Sequence, residues 1–381
     1  VKTATPKRVL HVYQSPSFSG AEAYAKEVAE YHQRSGHHVS FLVLSKSPLA
    51  TKIRGDAVIQ YIVDSPEQVD WRSFDVIVLH STQELKNLKW RLAKVRLFSQ
   101  RAQQGAPARR RPRIVLYSHI WISHSKRDPL HAIVYSLIDQ FWCSSQASKS
   151  VLEKHLPIAK EKIKVVRYGR DTNGLITSFL SREEARSRLE IPQRATVFGT
   201  IARVDAGKGS RELWNSALTT LRRHPDAHFL MIGPATASDP KAVALDSALD
   251  KELKDIRSSD PNLGSRITKI GRLDGGTAFL PAFDLFVLAT YKENFALTLL
   301  EAQLAGVPCL GTNSGGTPDL IHDAITGWLF QSESESDLTE ALERALLDRH
   351  RWPEISSQSR AQILKNYQFT DVMKVADKLL F

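Results

Sequence analysis

The sequence predicts an α/β chain made of two Rossmann-like domains, and three observations carry that expectation: the length, an alternation of short β-rich runs with helical patterns, and a restart of that alternation halfway along. At 381 residues the chain is too long for one compact core and long enough for two of ordinary size. The first alternation begins at residues 9–13 (Val-Leu-His-Val-Tyr) and continues through 39–44, 75–80, 114–118, 140–143 and 163–166. Residues 21–34 carry apolar side chains at helical spacing and stop at Gly36, which makes a βα unit with the first run. Strands alternating with helices imply a parallel sheet with crossover helices. The pattern restarts after a helix at 182–189, with runs at 197–201, 229–232, 267–270, 285–288 and 308–311.

Between the two alternations, residues 167–174 (Arg-Tyr-Gly-Arg-Asp-Thr-Asn-Gly) form a polar, glycine-containing stretch suited to a linker. The expected division is therefore 1–172, 173–355, and a helical tail over 356–381. Hydrophobic content of 42% and charged content of 24% lie near globular averages and exclude a disordered or fibrous chain. No apolar run approaches the roughly 20 residues that span a bilayer, and residues 1–8 lack the apolar core of a secretory signal. Cys143 and Cys309 sit inside apolar runs and read as reduced core residues, so the expectation is a cytoplasmic protein. Charge is uneven: residues 1–180 hold 28 Lys and Arg against 14 Asp and Glu, a net +14, and the remainder holds 24 against 27, a net −3. That bias suits an anionic partner for the first half, or a solvated basic face with none. Zinc-ligand spacing and RNA-recognition signatures are absent, so no specific nucleic-acid partner is expected.

The informative stretch runs from Glu293 to Phe330. Glu293 stands in a loop after a buried strand, and Asn294, Phe295 and Ala296 lead into a helix beginning near Leu297. Free N–H groups at such a helix start suit a diphosphate. Glu301 lies further along the same helix, and a carboxylate there can accept from both vicinal hydroxyls of a ribose. Glu293 can hold sugar hydroxyls in the same way. Gly315 and Gly316, with Thr317 as the expected N-cap and Pro318 at the first helical position, make a turn where backbone comes close to a ligand. Upstream, residues 201–209 (Ile-Ala-Arg-Val-Asp-Ala-Gly-Lys-Gly) follow a strand and open a helix, which puts Arg203 and Lys208 at the carboxyl edge of the sheet. Two cations there would neutralise a diphosphate and stabilise the charge that grows on it as a sugar departs, with no metal required.

These residues resemble family 4 of the retaining GT-B glycosyltransferases. The motifs that carry the likeness are the glutamates Glu293 and Glu301 with seven residues between them, Arg203 with Lys208-Gly209, and Ser19-Gly20-Ala21-Glu22 after the first strand. The resemblance implies two Rossmann-like domains facing across a cleft, the first binding the acceptor and the second the nucleotide sugar, with the C-terminal helix packing back on the first. It implies that Arg203 and Lys208 contact the donor diphosphate, Glu301 the ribose and Glu293 the transferred sugar. Asn294, Phe295, Ala296 and Leu297 would offer amides, and Gly20 would face the donor. His119 follows a strand where such enzymes carry a histidine near the reacting sugar; His80 ends a strand likewise, with a structural role as the bland alternative. The implied substrate is a UDP or GDP sugar, with no further cofactor, and the implied acceptor a lipid-linked or cell-envelope saccharide. Ala202, Asn294 and Asp319 depart from the family's usual residues, which bears on nucleotide and sugar identity.

Residues 84–104 read as one basic amphipathic helix, with Lys86, Lys89, Arg91 and Lys94 interleaved among Leu85, Leu88, Trp90 and Val95. Together with Arg109, Arg110 and Arg111 it is expected to dock on the anionic inner face of the cytoplasmic membrane, the alternative being a helix packed on its own domain. Competing functions on the same residues are a nucleotide-sugar-binding protein without catalysis and a sugar-nucleotide epimerase.

Overall fold

The structure, a computed structural model, describes residues 5–16, 18, 20–55, 59, 61–98, 111–122, 124–291 and 293–381. The chain divides into two compact units, Val1–Arg167 with Met373–Phe381, and Tyr168–Val372.

The first unit holds seven parallel strands: β1 (Arg8–Tyr13), β2 (His38–Val43), β3 (Tyr61–Val63), β4 (Val76–Leu79), β5 (Arg113–Tyr117), β6 (Gln140–Cys143) and β7 (Ile163–Val165), in the order β3-β2-β1-β4-β5-β6-β7. Alternate side chains of a strand face opposite sides. Leu10, Val12, Ile77, Leu79, Ile114 and Leu116 accordingly share one core with Leu85, Leu88, Leu92 and Val95. The helix Gly20–Arg34 follows β1, and the residues from Met373 onward add to this unit: Tyr31 donates to Asp377 at 2.9 Å and Arg113 to the Leu380 carbonyl at 3.0 Å.

The second unit holds six parallel strands: β8 (Thr196–Ile201), β9 (Ala227–Ile232), β10 (Ile267–Ile270), β11 (Leu285–Leu288), β12 (Cys309–Thr312) and β13 (Trp328–Phe330), in the order β10-β9-β8-β11-β12-β13. Its core joins Phe198, Phe229 and Leu285 to Trp214, Leu221, Leu342 and Ile355 from the helices. Both cysteines are buried free thiols.

Four expectations change. The segment 84–104 is not one helix: Thr82–Asn87 ends at Leu88, whose φ of −101° and ψ of 4° are not helical, and Lys89–Phe98 follows. Leu85, Leu88, Leu92 and Val95 all reach the core across the break; residues 99–104 lie outside the described residues. The tail is two helices, Trp352–Asn366 and Phe369–Leu380, and only Met373–Phe381 joins the first unit; Ile355 is committed to the core of the second. The division falls at Arg167 and Tyr168 rather than after residue 172, because the isolated bridge between Arg170 and Gln368 ties the supposed linker to the second unit. Thr317 is not an N-cap: Gly316 precedes a single 3-10 turn, Thr317–Asp319, without a side-chain cap.

Candidate functional site

In the second sheet the strand order reverses between β8 and β11. Chain leaving these two neighbours runs to opposite sides, so a crevice opens beyond their carboxyl ends, and ligands of open parallel sheets bind there. The loops after β8 and β11 carry Lys208 and Glu293, and Lys208 Nζ lies 2.6 Å from Glu293 Oε2 with about a fifth of each side chain exposed.

The local sequence explains how the pair is held. Asp205 accepts the Lys208 amide at 2.9 Å, closing the turn Ala206–Lys208, and Gly209 follows at φ 64° as N-cap of the helix Ser210–Arg223. A Cβ on Gly209 would stand 2.3 Å from the Ala289 carbonyl oxygen, so only glycine lets the two loops meet; Tyr291 then donates its amide to Gly207 at 3.0 Å. The glycine pair acts in the same way. Gly315 has φ 60° and a Cβ there would lie 2.1 Å from the Glu293 carbonyl oxygen, which also accepts from the Gly316 amide at 2.8 Å. The close approach expected toward a ligand is an approach to the Glu293 peptide, and it sets where that carboxylate stands.

Asn294, Phe295 and Ala296 are buried and lead into the helix Leu297–Leu304, which starts without a side-chain cap. Leu297 gives its amide to the Phe295 carbonyl at 3.1 Å, so that N–H is spent within the turn. The Phe295 ring packs against Tyr168 and Tyr367, with centroids 5.3 and 5.8 Å away, which makes it a support for the helix start. Glu301 is buried and Arg170 reaches its Oε1 at 2.8 Å. Sequence reasoning missed Arg170: one arginine in a polar, glycine-containing stretch carries no periodic signal. Arg203 is exposed and donates to the Thr236 hydroxyl at 2.9 Å. The structure thus joins Lys208 to Glu293 and Arg170 to Glu301, while Arg203 has its own hydroxyl partner.

In the first unit Gly20 opens the helix that follows β1. Glu22, in the first turn of that helix, is buried and accepts from the Ser15 hydroxyl at 2.6 Å. His119 follows β5, is 8% exposed, and stacks with Tyr13 and His80. Burial holds its imidazole down to about 3, opposed by the charge of Glu22. Of the basic set, Lys86 and Lys94 are exposed, Lys89 lies over the Trp90 ring at 5.9 Å, Arg91 pairs with Glu67, and Arg111 pairs with Asp139 at 3.1 Å. Arg109 and Arg110 lie outside the described residues. Trp90 and Leu97 are 74% and 73% exposed. Among the described residues, no helix is long and apolar enough to cross a membrane.

Two parallel, doubly wound sheets, the second with a cation and a carboxylate at its switch point, define the nucleotide-binding α/β class. Two family models account for both units: residues 181–366 match "Glycosyl transferases group 1" and residues 18–173 match "Glycosyltransferase Family 4". The chain belongs to the group 1 glycosyltransferases, of GT-B fold. It is 25% identical over 214 residues to the D-inositol 3-phosphate glycosyltransferase of Corynebacterium kroppenstedtii, covering 54% of this chain and 45% of that one. It is 25% identical over 209 residues to the UDP-Gal:alpha-D-GlcNAc-diphosphoundecaprenol alpha-1,3-galactosyltransferase of Escherichia coli, covering 54% and 51%. The chain thus spans about half the length of the curated relatives it matches. Anabaena HepE, solved in complex with UDP and glucose, shares the fold at a TM-score of 0.77 and 17% identity, over 98% of this chain and 99% of that one.

Proposed function

We propose that the protein is a retaining, metal-independent glycosyltransferase moving a sugar from a UDP or GDP sugar to a lipid-linked or cell-envelope saccharide. The observation that carries this reading is the Lys208–Glu293 pair, at 2.6 Å, beyond the carboxyl ends of β8 and β11. A diphosphate at this edge takes Lys208 from Glu293, which leaves the carboxylate to accept from hydroxyls of the transferred sugar. Arg203, on the same loop, adds a second cation, and the uncapped start of the helix Leu297–Leu304 supplies amide donors. Glu301, held by Arg170, grips the ribose. The enzyme's contribution is stabilisation of charge growing on the departing diphosphate, and the acceptor oxygen bonds to the sugar on the face from which the diphosphate leaves. UDP in the name of the Escherichia coli relative and in the Anabaena complex supports a UDP donor; the diphosphoundecaprenol in that relative's name supports a lipid-borne acceptor.

A thermal-shift screen of uridine, guanosine and adenosine diphosphate sugars tests the donor. A binder present at 100 times its dissociation constant stabilises the chain by about 2.7 kcal/mol, and no shift with any of them would remove the reading. Binding without sugar release would identify a non-catalytic nucleotide-sugar protein, and an altered sugar nucleotide formed without acceptor would identify an epimerase.

The exposed Trp90 and Leu97 flanked by Lys86 and Lys94 support docking of the first unit on an anionic leaflet at the inner face of the cytoplasmic membrane. Leu85, Leu88, Leu92 and Val95 of this segment pack inward, so the contact is small and leans on charge.

A further inference from the structure

The first unit holds a buried lysine that no acidic side chain answers among the described residues. Strands β4 and β5 are neighbours, so the segments leaving their carboxyl ends lie side by side. The helix Thr82–Asn87, after β4, carries Lys86, and the loop after β5 carries Lys126 just before the helix Pro129–Tyr135. These two helices are in contact. The loop is anchored on the end of the helix Gln146–His155: the Lys126 amide donates to the His155 carbonyl at 2.8 Å, and the Arg127 guanidinium donates to the Glu153 and Lys154 carbonyls at 2.6 and 2.8 Å.

Lys126 itself is only 6% exposed. Among the described residues its ammonium has no hydrogen-bond or ion-pair partner, and the charge that acts on it is that of Lys86. Asp128, two residues on, is committed elsewhere: it accepts the His131 amide at 3.0 Å and faces the His131 ring nitrogen at 2.5 Å. An ammonium taken out of water without a counter-charge is costly, and a second ammonium nearby adds to the cost. Burial, and after it the charge of Lys86, hold Lys126 below the ordinary lysine value. A phosphate would relieve both, because its oxygens accept from more than one ammonium and supply the missing charge.

The surface beside the lysines is apolar. Leu130 and Ile133, three apart and so on one side of their helix, are 66% and 67% exposed, and Ile120, in the same loop as Lys126, is 55% exposed. Cations next to uncovered hydrocarbon suit an amphiphile with an anionic head. We propose that Lys126 and Lys86 bind the phosphate or diphosphate of a single lipid, whose hydrocarbon chain runs over Leu130 and Ile133. The site lies wholly within the first unit. That this lipid is the acceptor rests on the transferase reading; that the lysines bind its head does not.

Calorimetric titration of the full chain with farnesyl diphosphate, a water-soluble lipid diphosphate, tests it beside inorganic pyrophosphate and farnesol. Farnesyl diphosphate should bind about tenfold or more tighter than either. Lys126→Met should weaken it by about tenfold or more, and should melt at or above the wild-type temperature, since it removes an unpaired buried charge. Lys86→Met, at an exposed position, moves affinity the same way and serves where Lys126→Met fails to fold. Lys208→Ala, which removes a cation of the second unit, should leave the affinity unchanged. Leu130→Ser with Ile133→Ser should bring farnesyl diphosphate down to the affinity of pyrophosphate. Wild-type affinity in both lysine variants, a loss in Lys208→Ala alone, or pyrophosphate binding as tightly as farnesyl diphosphate would each overturn the proposal. So would a double serine variant that keeps its affinity and loses only self-association or flotation with phosphatidylglycerol vesicles, which would assign the apolar face to a second copy or to the bilayer surface. Failure of every nucleotide sugar to bind would defeat the transferase reading and leave this result standing.

Discussion

The two units bury their polar side chains by opposite means. The second uses formal charges in pairs: Lys208 with Glu293, Arg170 with Glu301, and the wholly buried Arg186 with Asp284 at 2.7 Å. The first gathers buried imidazoles, His119 beside His80, His80 beside His11 and His11 beside His32. A charge pair cancels locally, so one member can be handed to a ligand and the other is left poised for a second group. Burial opposes charge on the imidazoles of His11, His80 and His119. Charge deletion should therefore damage the second unit most, and acid the first.

The largest effect expected is from Arg170→Ala, which strips the buried Glu301 of its cation. Breaking such a pair costs about 3 kcal/mol, the lower end of the range because Arg170 is 20% exposed; urea unfolding measures it, and a loss near zero would mean the pair is as weak as one on the surface. Lys208→Ala should reduce turnover by about 10²-fold while leaving the unfolding midpoint nearly unchanged, because both partners of the pair reach solvent. Steady-state kinetics beside a thermal melt checks both halves, and near-full activity would remove Lys208 from the mechanism.

Acid sharpens the contrast. His11, His80 and His119 bind protons less readily in the folded chain than at the ordinary value of 6.5, so as pH falls the unfolded chain protonates first. Stability is whole above about pH 6.5 and declines below it, by about 1.4 kcal/mol per pH unit for each such ring. For His119 the decline continues to about pH 3. Urea midpoints at pH 7.5 and 5.5 read the loss, and a flat profile between them would mean that the rings titrate as they do in the unfolded chain. The smallest effect is at the surface: Lys86→Glu with Lys94→Glu should abolish any preference for anionic over neutral vesicles in flotation and leave stability within about 0.5 kcal/mol.

Much of the fold was legible beforehand. The runs at 140–143, 267–270 and 285–288 match the strands residue for residue. The short strands β3 and β13 escaped, while β7, also three residues long, was read at 163–166. In the site, Glu293, Glu301 and Lys208 were readable from motif spacing, as was the glycine pair. Its use was not, because the atom that needs the room at Gly315 is the Glu293 carbonyl oxygen. His11 offered a signal that went unused: a polar ring in the middle of a buried strand requires a partner. Trp90 stands about 140° round a helix from Leu85, and it is exposed where Leu85 is buried.

What the sequence alone determined is local: strand period, the Asp205 cap, the glycine at φ 64° after Lys208, and the charge bias between halves all act between near neighbours. What the tertiary structure decided is who meets whom. Asp377 faces the helix that carries Tyr31, 346 residues away in sequence, and Arg170 meets Glu301, because strand order and the path of the last helix are set by how whole faces bury. A hydrogen bond forms only once those faces have brought its partners within about 3 Å, and no residue's own neighbours encode that arrival.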